Sequence, residues 1–282
     1  KHSNQKKEMG KDFFIGFLSL CFSFSAIAQP AVDGFMKGKG NIDVVGGLTF
    51  DSFSKFHASD GLVSLSRTTA SASIFASAGI TNWLDAQINL PYVMTASNWS
   101  NLQDVSVFLK GRFLNKATKK GTFSALIAGG FSTPITNYPT QGLNAIGQQA
   151  TALDARLVLQ YFANNGWFGM LQGGFTSRLN PTPSSVPVAV KIGKAANNYY
   201  FDFYYDFQNA DGGSDYRDGT NRAFTTLGVS YHKLGGTFYK PFNEGKMGVA
   251  FGAYSILAGR NVGQSIGGSA AFIYKIKYLK NE

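Results

Sequence analysis

Hydrophobic and polar residues alternate one by one through residues 84–94. The apolar positions are Leu84, Ala86, Ile88, Leu90, Tyr92 and Met94, and the polar positions are Asp85, Gln87 and Asn89. A period of two is typical of a β-strand with one apolar and one polar face. In a soluble sandwich the apolar face would form the core. In a transmembrane barrel it would meet lipid, and the polar face would line a wet lumen.

Similar alternation recurs along most of the chain. It predicts about twelve strands, at residues 40–53, 66–79, 84–94, 104–113, 122–133, 152–162, 167–178, 187–194, 199–208, 223–239, 247–257 and 264–278. Short turns and long loops separate them, with the longest loops at residues 135–151 and 209–222. This pattern indicates an all-β fold, a transmembrane antiparallel up-and-down barrel with its short turns in the periplasm. A soluble periplasmic β-sandwich is the alternative, and it explains the loop asymmetry less well.

The first 28 residues have the layout of a secretory signal. Lysines precede an apolar run at residues 13–25, and Ala26-Ile27-Ala28 forms a small-x-small cleavage site. We expect cleavage near Ala28, which leaves residues 29–282 as the barrel and removes Cys21, the chain's single cysteine. A retained helical anchor is the alternative. Export of a barrel predicts the outer membrane of a Gram-negative cell, and residues 31–39 are predicted as a short polar lead into the first strand.

Composition supports a barrel and excludes some partners. Glycine (33 residues) and aromatic residues (15%) are abundant, whereas charged residues (15%) are scarce. The net charge is +10, and it is spread over predicted loops and turns rather than in basic blocks interleaved with aromatics. We therefore expect no nucleic-acid partner. The expected partners are outer-membrane lipid and lipopolysaccharide, a small-molecule substrate, and the barrel-assembly machinery during biogenesis.

The polar faces of the strands supply the candidate residues of a lumen wall. They are Asp85, Gln87, Lys110, Arg112, Asp154, Arg156, Asp202, Tyr204, Asp206 and His232. Asp85 is predicted to pair with Arg112 or Lys110 on the neighbouring strand, since opposite charges are favourable across a strand pair. The alternative is that these charges simply meet water, where ion pairs contribute little.

The predicted outer loop at residues 135–151 carries no charge, whereas the loop at 209–222 carries five charged residues. A loop standing in water has no reason to avoid charge, so we predict that residues 135–151 fold into the barrel mouth and narrow the pore. The pore-loop candidates are Tyr138, Leu143, Asn144, Ile146, Gln148 and Gln149. Their apolar side chains would be buried and their amides would face a ligand. An ordinary surface loop is the alternative.

Short motifs give the chain a family resemblance. They are Gly38-Lys39-Gly40-Asn41, Gly79-Ile80-Thr81-Asn82, Asn89-Leu90-Pro91-Tyr92, the run at residues 145–151, and the run at residues 258–263. With these motifs the chain resembles outer-membrane barrels of the phenol-degradation meta-pathway family and related proteins described as transporters. The resemblance implies a channel or transporter for small, hydrophobic or aromatic compounds. It assigns no functional residue.

Enzyme chemistry finds little support in the sequence. Gly263-Gln264-Ser265-Ile266-Gly267 matches a nucleophile elbow, but that motif requires a helix after the turn and a strand follows here. His57 and Ser59 resemble the pair of an outer-membrane lipid hydrolase, without a partner asparagine. We expect no enzyme activity, cofactor or metal site. The predicted function is facilitated diffusion of small molecules, and the alternative class is a structural or adhesive surface barrel.

Overall fold

A computed structural model describes residues 31–96, 99–217 and 223–277, so the predicted signal peptide and Tyr278 lie outside the described residues. Twelve long strands form the fold: β1 (Asn41–Ala58), β2 (Gly61–Gly79), β3 (Leu84–Thr95), β4 (Asp104–Ala117), β5 (Gly121–Pro134), β6 (Ala152–Ala163), β7 (Trp167–Arg178), β8 (Ser185–Ala196), β9 (Tyr199–Ala210), β10 (Ser230–Phe242), β11 (Met247–Arg260) and β12 (Ile266–Lys277). Short strands at Ser100–Leu102 and Val262–Gly263 extend the sheet, and 3₁₀ turns occur at Gly142–Asn144 and Phe224–Thr226. No helix within the described ranges is long and apolar enough to cross a membrane.

The sheet closes on itself. Each strand pairs antiparallel with its neighbours in sequence, and β12 pairs with β1 from Ser52↔Ile266 to Asn41↔Lys277. The predicted up-and-down barrel of twelve strands is therefore confirmed. A closed sheet leaves no unpaired edge for another chain to join.

The predicted strands all exist, with one boundary error of note. The tenth was expected at residues 223–239, but β10 begins at Ser230 because residues 223–229 form a turn that lies against the long loop, where Gln141 bridges Ala223. β1 and β2 run several residues further than predicted, since their hairpin projects beyond the neighbouring strands. Element ends are set by tertiary contacts that local sequence does not encode.

All the long connections lie at one end of the barrel, and the other end has short turns alone. One end, here called the turn end, has five short turns, at residues 80–83, 118–120, 164–166, 197–198 and 243–246. The opposite end, called the loop end, carries the described residues 96, 99–103, 135–151, 211–217 and 223–229. Both predicted long loops lie at the loop end, the arrangement typical of outer-membrane barrels.

Large apolar side chains cover the outer surface of the barrel. Ile88, Leu109, Phe203 and Phe272 are all roughly half exposed or more, while Asp85 and Lys110 on the opposite face are fully buried. Leu84, the fifth residue predicted to face lipid, is partly buried on the same strand face as Ile88. An apolar belt outside and charges inside is the inverse of a soluble fold and suits a bilayer.

We expect Ile88→Arg to reduce the free energy of unfolding in lipid by about 2–4 kcal/mol, because it places a charge in the middle of the apolar belt. Gln87→Arg is the matched control, since its side chain points into the barrel and lines an internal cavity. Urea titration of both variants folded into vesicles measures the difference. Equal stability of the two variants would contradict the assignment of faces.

The buried apolar core lies inside the barrel around residues 31–37. Val32 and Met36 pack with Phe108, Leu126, Val158 and Met170 of the wall. Phe35 packs with a second group that includes Val45, Phe75, Phe168 and Tyr200. This segment before β1 therefore fills the part of the barrel near the turn end.

Candidate functional site

Residues 31–37 form the floor of the site. The ring of Phe35 meets those of Phe168 and Phe162 edge-on, with centroids 5.0 and 6.1 Å apart. The prediction of a short polar lead at residues 31–39 is wrong, because Val32, Phe35 and Met36 are buried. The burial of these apolar side chains against the inner wall of the barrel stabilises the segment in the lumen.

Ion pairs hold this segment to the wall. Lys110 Nζ lies 2.9 Å from Asp33 Oδ1 and 3.7 Å from Asp85 Oδ2, so the predicted Asp85–Lys110 pair is present. Lys37 donates from its backbone N to Asp85 Oδ2 at 2.9 Å and from Nζ to Asp43 at 2.5 Å. These charges are buried, and buried charges are stable only when paired. The alternative, that the charge of Asp85 simply meets water, is therefore wrong, and its partners are Lys110 and the segment.

A tight turn leads the segment out of the lumen into β1. Gly38 and Gly40 have φ values of 75° and 83°, which favour glycine. Gly40 N donates to Gly79 O at 3.0 Å, and Lys39 N donates to Asn82 Oδ1 at 3.1 Å. Two of the resemblance motifs thus meet at the anchor of the segment. Arg112, the other predicted partner of Asp85, instead donates to Asn82 O at 3.0 Å.

The loop at residues 135–151 forms the roof. Tyr138 and Ile146 are buried, as predicted, and Tyr138 donates its hydroxyl to Asp104 at 2.5 Å. Gln103 Nε2 donates to Ile146 O at 3.1 Å, and the Arg67 guanidinium donates to Ala145 O. The loop therefore lies across the barrel mouth, held by side chains of the wall.

The amides of the roof loop mostly bind other loop atoms. Gln148 lines the cavity, but its Nε2 donates to Phe224 O and Leu227 O and joins the two long loops. Gln149 Nε2 donates to Asn137 Oδ1 at 2.8 Å. Gln149 and Asn144 do not line the cavity described below, and that they face a ligand stays a prediction. The side chain of Leu143 lies outside the described part.

A cavity of about 610 Å³ lies between floor and roof. Ala31 contributes at the floor, and Ile146, Gly147, Gln148 and Phe224 contribute at the roof. Its wall is predominantly polar and includes four of the predicted lumen residues, Gln87, Asp154, Arg156 and Asp206. The volume is in the range of small-molecule sites.

The other predicted lumen residues lie outside this cavity. Asp85 and Lys110 contact the floor segment, and Arg112 lies at the turn end. Asp202 and Tyr204 are buried on the inner face of β9, where Lys191 Nζ lies 3.1 Å from Asp202 Oδ2. All five therefore point inward, but only the four cavity residues can meet a solute held between floor and roof.

His232 was predicted to face the lumen, and this is wrong. It pairs with Phe207, a residue on the outer face of β9, and its Nδ1 lies 2.6 Å from the Tyr205 hydroxyl. The neighbours Tyr231 and Lys233 point inward and line the cavity. Neighbouring residues of a strand point to opposite faces, so His232 and Lys233 cannot both face the lumen. Lys233 lies beside Asp206 in the lumen, and His232 therefore lies on the outer face.

Sequence reasoning missed several wall residues. They are Arg67, Arg178, Gln172, Tyr231 and Lys233. Lys233 could have been found, since a lysine in a barrel strand is expected to face the lumen. Arg67 and Arg178 lie at the loop ends of their strands, where alternation no longer separates lumen from solvent.

The enzyme motifs do not form a site. Ser265 precedes β12 rather than a helix and donates its hydroxyl to Gly263 O at 3.2 Å, so the geometry of a nucleophile elbow is absent there. Ser59 lies in the β1–β2 turn, where its backbone N donates to Tyr216 O. Across residues 31–96, 99–217 and 223–277, no three His, Cys, Asp or Glu side chains converge as a metal site would require.

The closed barrel with an apolar exterior and a charged interior defines the fold class of outer-membrane barrels. Among solved structures it is similar to an outer membrane channel from Pseudomonas putida F1, with 13% identity over 91% of this chain and 100% of that one and a TM-score of 0.67. It is also similar to the NanC porin, with 11% identity over 84% of this chain and 100% of that one and a TM-score of 0.51. At such identities the likeness shows the fold.

No family model matches the chain, and no curated protein does so either. The resemblance to the phenol-degradation meta-pathway family therefore stays a prediction. The similarity of fold shows that this chain has the architecture of outer-membrane channels and porins.

Proposed function

We propose that this protein is an outer-membrane channel through which small molecules cross by facilitated diffusion. One observation carries the proposal: the closed barrel holds a cavity of about 610 Å³, and several side chains that line it have buried polar atoms without a hydrogen-bond partner among the described residues. A structural or adhesive barrel would act through its loops and would have no use for such a cavity. The sequence contains no nucleotide-binding loop, which supports passive passage.

The chemistry of the wall bears on the substrate. Four aromatic rings line the cavity, those of Phe75, Phe108, Phe224 and Tyr231, and they support the hydrophobic or aromatic group that the family resemblance implies. Most of the remaining wall consists of amide, hydroxyl and charged side chains. We therefore propose substrates that combine polar groups with a small apolar part.

Liposome swelling with the purified protein tests this function. We expect swelling in small sugars and small aromatic alcohols, at rates that fall steeply with solute size. Gln172→Trp should slow it, because Gln172 is buried on the cavity wall and the larger ring would fill the passage. Leu171→Trp is the matched control on the outer face, where Leu171 is 47% exposed.

We expect liposomes with the wild-type protein or with Leu171→Trp to swell at the normal rate, and liposomes with Gln172→Trp to swell slowly. A folded wild-type barrel that causes no swelling and no single-channel current would instead support the structural or adhesive class. Equal swelling by the two tryptophan variants would show that solutes do not pass through this cavity.

A further inference from the structure

Several polar atoms on the cavity wall are buried and have no hydrogen-bond partner among the described residues. The donors are Arg156 Nε and Nη1, Arg67 Nε and Gln87 Nε2, and the acceptors are Gln87 Oε1, Asn89 Oδ1 and Gln172 Oε1. All five residues line the one cavity. Leaving such a group unpaired costs about 1–3 kcal/mol, and more when it is charged. A solute that reached these atoms would supply the partners they lack.

The charges on the wall are not balanced. Its cations are Arg67, Arg156, Arg178 and Lys233, and its anions are Asp104, Asp154 and Asp206. Each carboxylate already has a partner, as Asp206 does in Lys233 Nζ at 2.7 Å and Asp104 in the Tyr138 hydroxyl at 2.5 Å. Asp154 accepts from Arg156 and from Thr176 Oγ1 at 2.6 Å. The wall thus has no free carboxylate for a cation.

Two guanidinium groups are without a carboxylate. Arg67 donates to Ala145 O, and Arg178 Nη1 donates to Pro183 O at 3.2 Å and Ser185 Oγ at 2.7 Å. Within the ranges that the structure describes, neither is within ion-pairing distance of an acidic side chain. Among the residues that line the cavity, cations therefore exceed anions by one, and Asp51, which lies beside the lining, also attracts Arg67.

Arg156 is the best placed of these groups. Only 7% of the residue is exposed, and it uses Nη2 alone for Asp154 and Thr176. Opposite it on β7 is Gly174, where an added Cβ would lie 2.9 Å from Arg156 Cδ and 3.0 Å from Nη1. The atom closest to that Cβ would be Ala155 O, at 2.0 Å, so the strand pairing itself excludes a side chain here, and the guanidinium lies in the space that glycine leaves. Arg178 lies on the same face about 14 Å nearer the mouth, four residues along the hairpin.

We infer that the cavity binds small organic carboxylates. The carboxylate is held by the free N–H groups of Arg156, since guanidinium and carboxylate match as hydrogen-bonding partners. Hydroxyl or amide donors of the same molecule bind the free oxygens of Gln87, Asn89 and Gln172. Arg178 and Arg67 attract the anion at the mouth. This inference rests on the proposed function and adds the substrate class to it.

Planar-bilayer recordings test the inference with gluconate and lactate as anionic probes, and swelling assays use glucose and glycerol as their neutral counterparts. We expect a low concentration of gluconate to block the current carried by potassium chloride. We also expect the reversal potential in a salt gradient to show that the channel prefers anions over cations. Arg156→Gln should raise the half-blocking concentration at least about tenfold, because a charge-assisted hydrogen bond is lost. Arg112→Gln is the matched control, since Arg112 lies at the turn end away from the cavity.

Arg178→Gln is a second variant that leaves no carboxylate unpaired, so it tests the same site when Arg156→Gln does not fold. It should reduce anion selectivity and weaken the block by gluconate. Equal permeation of gluconate and glucose, or a block that neither variant weakens, overturns the carboxylate site while leaving the channel function intact. Failure of all four solutes to pass overturns the proposed function and this inference with it.

Discussion

Deletion of residues 32–37 should raise single-channel conductance several-fold. These residues fill the lumen near the turn end and form the floor of the cavity. Without them the space beside Phe108, Leu126 and Val158 would be open to water. The twelve strands pair without the segment, so the barrel should still fold. Conductance in planar bilayers, with electrophoretic mobility as the check on folding, measures the effect.

A disulfide can test whether the floor has to move. A Cβ added to Gly34 would lie 2.8 Å from Gln160 Cβ, against about 3.8 Å in a disulfide, so Gly34→Cys with Gln160→Cys should cross-link after a small shift. The sequence beyond Cys21 has no other cysteine to compete. We expect oxidation to abolish solute flux and a reductant to restore it. Flux that is unchanged by oxidation would show that solutes pass the segment as it stands.

Deletion of residues 139–147 should raise conductance and weaken selectivity among solutes. The roof loop covers the mouth, and its removal would widen the passage to the cavity. The buried side chain of Ile146 and the carbonyl groups that hold Gln103 and Arg67 would be lost with it. Single-channel conductance and swelling rates for solutes of graded size measure the two effects.

Tyr138→Phe is the milder companion of this deletion. It keeps the buried ring but loses the hydroxyl that donates to Asp104 and accepts from Gln149 N at 2.8 Å. We expect an intermediate gain in conductance, because the loop would be held less firmly. A deletion variant that folds normally and conducts like the parent would show that the loop does not limit passage.

Much of the fold could be predicted from the sequence because a barrel strand has a period of two. Alternation identified each of the twelve long strands, and it placed Asp85 and Lys110 on one face of neighbouring strands. The charge difference between the two long loops predicted which of them lies across the mouth. Each of these predictions depends on a pattern within one segment or between adjacent ones.

The floor of the site has no such pattern. Residues 31–37 read as Ala-Val-Asp-Gly-Phe-Met-Lys, which mixes apolar and charged residues without a period. Their positions depend on contacts with Lys110, Gln160 and Phe168, which are distant in the sequence. His232 was misplaced for a different reason, since the adjacent Lys233 was not used: a lysine in a barrel strand is expected to face the lumen, and this puts His232 on the outer face.

The floor segment also has a consequence for how this chain can change over evolutionary time. Gly34 has no room for a side chain while Gln160 is present, and Lys110 requires the carboxylates of Asp33 and Asp85. Substitutions on the segment and on the wall should therefore be inherited together. Homologues that lose Asp33 should also replace Lys110, and homologues with a larger residue at position 34 should carry a smaller one at position 160.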